Sequence, residues 1–194
     1  MSVRVLSIIP PTVFETFPRV VRKAATAPST GLISPTQVRP IMSAPSTTPS
    51  DYNFQTSLPA SSSSLLDMQQ SLITNSVLDL FAGFPTKRKL ALWTDDASFH
   101  DPLTIAEGRK QYEAQWYGLK ASMSEIHQQH FEVVKGGNPI ELSLKTRYKV
   151  KGIGTEQVVD SKILVHLTPD GQRISKLEDR WNGDVPSDGP FAKV

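Results

Sequence analysis

The order of apolar patterns along this chain predicts an α+β fold, a curved antiparallel sheet wrapped around three N-terminal helices to give a conical shape. Three observations predict it. Apolar residues recur at helical spacing between residues 65 and 123. From residue 125 to residue 181 they alternate with polar ones at the period of a strand. Gly-Gly-Asn-Pro at 136–139, Gly152 with Gly154, and Thr-Pro-Asp-Gly at 168–171 punctuate the second half into a meander. Helices followed by a run of strands is the α+β order.

The first helix starts at Ser64-Leu65-Leu66-Asp67, where serine is a good N-cap and an acid suits the positive end of the helix dipole. Leu66, Ile73, Val77, Leu80, Phe81 and Phe84 form its apolar stripe, closed by Gly83 and Pro85. Thr86 opens a second, short helix that turns Lys87, Arg88 and Lys89 to water and Leu90, Leu92 and Trp93 inward. Asp95 and Asp96 suit a turn, and a short strand over 97–101 is stopped by Pro102. Tyr112, Trp116, Leu119 and Met123 then mark a third helix. The strand over 140–151 has the cleanest alternation, with Ile140, Leu142, Leu144, Thr146, Tyr148 and Val150 on one face. Val159, Ile163, Val165 and Leu167 give the next strand its apolar face, interrupted by Ser161, and the last strand covers 174–181.

Composition divides the chain at residue 64. Residues 1–64 hold nine of the fifteen prolines, twenty Ser or Thr, five basic residues and two acids, which reads as a disordered Ser/Thr/Pro-rich tail and linker. Low acid content with scattered arginine is also the composition of a transit peptide, so the expected address is the mitochondrial matrix, or the cytoplasm if the tail is only a tail. Residues 65–194 form the expected domain. Its charges nearly balance, which does not indicate a basic groove for nucleic acid. The absence of cysteine excludes disulfides, thiolate metal sites and a cysteine nucleophile. No run approaches the ~18 apolar residues of a membrane-spanning helix.

Period-two counting selects the candidate catalytic residues. Leu177, Asp179 and Trp181 share one face of the last strand, so Asp179 is carried inward with its apolar neighbours. Asp101 shares a face with Phe99 in the same way. A buried carboxylate without a donor is costly, and its pKa rises. Acids of that kind are candidates for proton transfer. Two plainer roles stand beside this one: Asp101 caps the loop after Pro102, or Asp179 pairs with Arg109, Arg180 or a backbone amide. Trp93, Phe99, Tyr112, Trp116, Tyr148, Leu177 and Trp181 are the expected substrate-binding wall, the aromatic ones equally suited to core. His127 and His130 resemble a metal pair, but three residues apart on a strand they point to opposite faces, and no metal is expected.

The segment Trp93-Thr94-Asp95-Asp96-Ala97-Ser98-Phe99-His100-Asp101-Pro102, with Gly108 opening a helix and the ending Leu177-Glu178-Asp179-Arg180-Trp181, resembles the nuclear transport factor 2-like cone fold in its SnoaL-like and ketosteroid-isomerase-like branch. The likeness covers about residues 65–184 and none of the tail. It implies that Asp101, of the Asp-Pro pair, stands at the general-base position. The isomerase pattern pairs a tyrosine with a protonated aspartic acid in its oxyanion hole. Those two positions fall near Val77 and Ile163 here, so both donors are missing. Asp179 resembles the acid/base aspartate of some SnoaL-like cyclases. The expected activity is a cofactor-independent isomerase, cyclase or lyase acting on a small apolar carbonyl compound. The alternative is a ligand-binding or assembly module without chemistry, and a homodimer through the outer sheet face is expected in either case.

Overall fold

The computed structural model describes residues 49–181. The transit-peptide expectation for the first 48 residues and the end of the chain past Trp181 lie outside these. Among the described residues four α-helices, Ala60–Ser63 (α1), Met68–Phe81 (α2), Lys87–Leu90 (α3) and Arg109–Ser122 (α4), pack with six strands. The strands are Trp93–His100 (β1), Ile105–Glu107 (β2), Met123–Lys135 (β3), Ile140–Val150 (β4), Glu156–Leu167 (β5) and Ile174–Trp181 (β6). They form one curved, open sheet in the order β2-β1-β6-β5-β4-β3. The pairing is antiparallel throughout except between β1 and β6, which run parallel. β1 is separated from β6 by the whole meander, so nothing in a hairpin turn fixes their relative direction.

The alternation expected for β4 is seen: Ile140, Leu142, Leu144, Thr146 and Tyr148 are buried, and the residues between them less so. Register shifts at three points of β3 bend the long outer strand, which is how a bulge adds curvature. One of them, between Gln128 and His130, corrects the reading of the histidines. His127 pairs with Arg147 and His130 with Lys145, so both lie on the outer face, and both are exposed. Among the described residues no group of His, Cys, Asp or Glu could hold a metal ion.

Three local expectations are corrected. Helix α2 is capped by Asp67 rather than Ser64, in a capping box with Gln70. Trp93 opens strand β1, and Asp95 and Asp96 lie within that strand instead of in a turn. Lys89 is buried: its ammonium lies 2.7 Å from Asp79, itself wholly buried, and donates to the carbonyl of Phe84.

The start of the packed chain also lies upstream of residue 65. Residues 49–58 run along helix α2, where Asp79 accepts hydrogen bonds from the backbone amides of Gln55 and Thr56, and Asn75 accepts from Leu58. Tyr52 is buried in the main core, stacked at 5.5 Å on Phe54. A segment poor in apolar residues holds its place because a buried acid satisfies its amides.

Candidate functional site

Strands β1 and β6 position the two acids. In the parallel register Phe99 sits beside Leu177 and His100 beside Glu178. Asp101 follows His100 directly, and the next step of the register is Asp179. Both project to the inner face with Phe99 and Leu177, as the period-two count predicts. Asp179 is buried and Asp101 half-buried. Across β6 the inner face continues through Ser161, opposite Trp181, and through Leu144 to Thr146 and Tyr148 on β4.

The two acids are held differently. Asp101 Oδ1 accepts from the amides of Leu103 at 2.8 Å and Thr104 at 2.6 Å, so the acid does cap its loop. Asp179 Oδ2 accepts from the indole N–H of Trp181 at 2.8 Å, and its Oδ1 has no hydrogen-bond partner among the described residues. The arginines expected beside Asp179 are engaged elsewhere. Arg109 grips Asp95 and Glu113, and Arg180 pairs with Glu178.

Burial dominates the electrostatics. It lifts the Asp101 carboxyl to about 6, against the opposing pull of the Leu103 and Thr104 donors. It lifts Asp179 to about 7, against the Trp181 N–H and the nearby Ser161 hydroxyl, and the charge of Asp101 adds to the rise. The Tyr148 phenol is raised well above its usual range, first by burial and then by the charges of Asp179 and Asp101. Both acids are thus moved toward neutrality, beside a phenol that burial keeps protonated.

The aromatic residues divide into two sets. Trp93 and Tyr112 are wholly buried and stacked at 4.9 Å, with the Tyr112 hydroxyl donating to the Thr94 carbonyl, so both are core. Leu177 is wholly buried there too. Phe99 and Trp116, centroids 5.0 Å apart, belong to the same core, and the Trp116 indole N–H is buried without a partner among the described residues. Tyr148 and Trp181 belong to a smaller apolar cluster with Met123 and Val159. The acids lie where the main core gives way to this second cluster.

Thr146 and Ser161 complete the inner polar set. The same alternation marks both in the sequence, Ser161 as a break in an apolar face. The oxyanion positions of the isomerase pattern, Val77 and Ile163, are wholly buried apolar core. The donor beside the acids is Tyr148, from a different strand.

No protein-family model matches the chain, and no curated protein sequence matches it. Solved structures do. An NTF2-like protein from Anabaena variabilis superposes with a TM-score of 0.50 at 12% identity, covering 58% of this chain and 85% of its own. A steroid delta-isomerase from Pseudomonas aeruginosa gives 0.46 at 16% identity, covering 65% and 84%. A protein assigned to the SnoaL-like family from Agrobacterium tumefaciens gives 0.44 at 18% identity, covering 60% and 100%. The chain has the NTF2-like fold, which is what the likeness to the Anabaena variabilis protein shows.

Proposed function

We propose that this protein is a cofactor-independent acid/base catalyst, an isomerase, cyclase or lyase, acting on a small and largely apolar carbonyl compound. The observation that carries the reading is that Asp179 on β6 and Asp101, just past the end of neighbouring β1, lie close enough for the Asp101 charge to raise Asp179, with both lifted by burial toward neutrality. A base of that strength can take a proton from a carbon next to a carbonyl, and its neighbour can return one. Asp101 is the base, since its loop amides fix it at the edge of the core. Asp179, with Oδ1 unpartnered, is the acid, and Tyr148 donates to the developing oxyanion. Phe99, Trp116 and Trp181 shape the apolar part of the site.

A panel of cyclic and open-chain ketones incubated with the protein in deuterium oxide tests this. Wild type should incorporate deuterium next to the carbonyl, with a rate that rises through about pH 6 to 7 as the base ionises. Asp101→Asn should lose about 10²- to 10⁴-fold, the usual contribution of a general base, at an unchanged melting temperature. Exchange by neither protein, or equally by both, overturns the proposal.

One observation favours a second reading, a ligand-binding or assembly module without chemistry. Asp101 is already occupied as a loop cap, a structural duty that needs no substrate. A large stability loss in Asp101→Asn without exchange by wild type supports it. In either reading we place a homodimer contact on the outer sheet face, where Lys145, Arg147 and Lys162 meet Asp160, Glu156 and Glu141 and a second copy can exchange partners. The acid-poor first 48 residues support import into the mitochondrial matrix, which a fluorescent fusion of that segment tests.

A further inference from the structure

Among the described residues the acid cluster lacks a counter-charge. The main influences on Asp101 and Asp179 are burial, hydrogen bonds and, for Asp179, the other acid's charge; none is a Lys, Arg or His. The basic residues around the sheet are committed to its outer face, Lys176 and Arg180 to Glu178, or to buried Asp79 in the case of Lys89. Asp179 is 4% exposed, yet its Oδ1 has no partner among the described residues. Tyr148 and Trp181, from β4 and β6, supply aromatic surface around it. A carboxylate oxygen with an open valence, a second acid one register step away and aromatic walls together describe a receptor for positive charge.

We infer that this cluster binds a small organic cation, an apolar body carrying one protonated nitrogen that donates to Asp179 Oδ1 and lies between Asp179 and Asp101. The inference rests on the reading of the cluster as a ligand site, and it narrows the carbonyl substrate to one that also bears a basic nitrogen; on such a substrate the ionised Asp179 holds the nitrogen, and Asp101 both takes the proton and returns it. The nitrogen supplies the positive charge the cluster lacks: it enters as the acids ionise, and it relieves the repulsion between them. A primary ammonium keeps its charge across the whole range in which these acids titrate, so affinity follows the acids alone. The groups that face them are few. Asp101 comes from just past the end of β1, Tyr148 from β4 and Ser161 from β5. His100 points to the other side of β1, toward Lys176, Glu178 and Glu107.

The test compares cyclohexylammonium with its neutral counterparts cyclohexanol and cyclohexanone on the full-length protein. The readout is the Trp181 indole N–H resonance, identified among the three tryptophans by Trp181→Phe. At about pH 8 the ammonium should shift this resonance saturably and bind at least about tenfold more tightly than either neutral compound. Its affinity should fall by about tenfold or more at pH 5, where both acids are protonated. Asp179→Asn should remove the preference for the cation. The pH series on wild type keeps the test decisive if that variant fails to fold. Tighter binding of cyclohexanone, or ammonium affinity that is flat with pH, overturns the cation and leaves the carbonyl reading standing. Binding of none of the three overturns the ligand site and both readings with it.

Discussion

Asp101 and Asp179 reach each other through a parallel strand pair: His100, the last residue of β1, is in register with Glu178, and the residue after each is the acid. They come from the neighbourhoods of the first and last strands, well apart in sequence, and neither hairpin turns nor helix packing would bring them together. Their closeness is a property of β1 lying parallel to β6. That adjacency makes the charge of Asp101 part of the environment of Asp179, where it adds to the rise that burial causes.

The pair should make the domain less stable as pH rises. Both carboxyls are raised in the folded state, to about 6 and about 7 from an ordinary 3.8, so the folded chain holds more protons than the unfolded one between those values. Unfolding free energy then falls with pH from about 4 to about 7. At pH 8, Asp179→Asn should be more stable than wild type by on the order of 2–4 kcal/mol, since it removes a buried charge and keeps an acceptor for Trp181. At pH 4 the difference should nearly vanish. Urea unfolding at both pH values measures it, and a destabilised variant at pH 8 would show that the acid is ionised and well paired.

Trp181 sets the upper limit of that shift. Its indole N–H donates to Asp179 Oδ2 and favours the ionised form, opposing burial. Trp181→Phe keeps an aromatic ring but removes the donor. The Asp179 carboxyl should then titrate about one pH unit higher, given ~1.5 kcal/mol for a hydrogen bond to a charged group. Carbon-13 chemical shifts of labelled aspartate would follow it directly. An unchanged midpoint would mean that Ser161 or water takes over as donor.

On the outer face the sign reverses. Burial works to raise Glu178, but hydrogen bonds from Lys176 and Arg180, with their charges, overcome it and hold the carboxyl at about 2. This acid contributes stability above its unfolded pKa and loses it as pH falls toward 2. Glu178→Gln should therefore cost about 1–3 kcal/mol at pH 7 and almost nothing near pH 2, the range of hydrogen bonds to charged groups. Thermal unfolding across that range, with Asp179→Asn as the contrasting variant, separates the two faces of β6.

Where alternation decides, the sequence is readable. Leu177 and Trp181 flank Asp179 at period two, so burying them buries the acid, and the same count puts Thr146 and Tyr148 inside. Long-range pairing is not readable. Lys89 reads as solvent-facing because its partner, Asp79, sits on another helix and the two are joined only in the fold. The bulge between Gln128 and His130 that puts His127 and His130 on one face carries no distinctive residue. Trp93 extends an apparent helix because a buried strand's first residue and a helix's last apolar one look alike in a short window. The role of Asp101 is two-sided in the sequence and stays so in the structure, where it caps its loop and also neighbours Asp179.

The buried ion pair yields the sharpest test of where the domain begins. Asp79 is wholly buried and receives the Lys89 ammonium and the amides of Gln55 and Thr56. Removing one partner leaves the others uncompensated, so Asp79→Asn should destabilise by about 3–5 kcal/mol, the cost of a broken buried pair. Replacing both, with Asp79→Leu and Lys89→Met, restores part of that loss, though the two amides remain without an acceptor. Deleting residues 1–48 should leave urea unfolding unchanged. Deleting 1–58 strips Tyr52 from the core and two donors from Asp79, and should lower the midpoint markedly. Equal midpoints for the two deletions would return residues 49–58 to the tail and put the domain's true edge at helix α1.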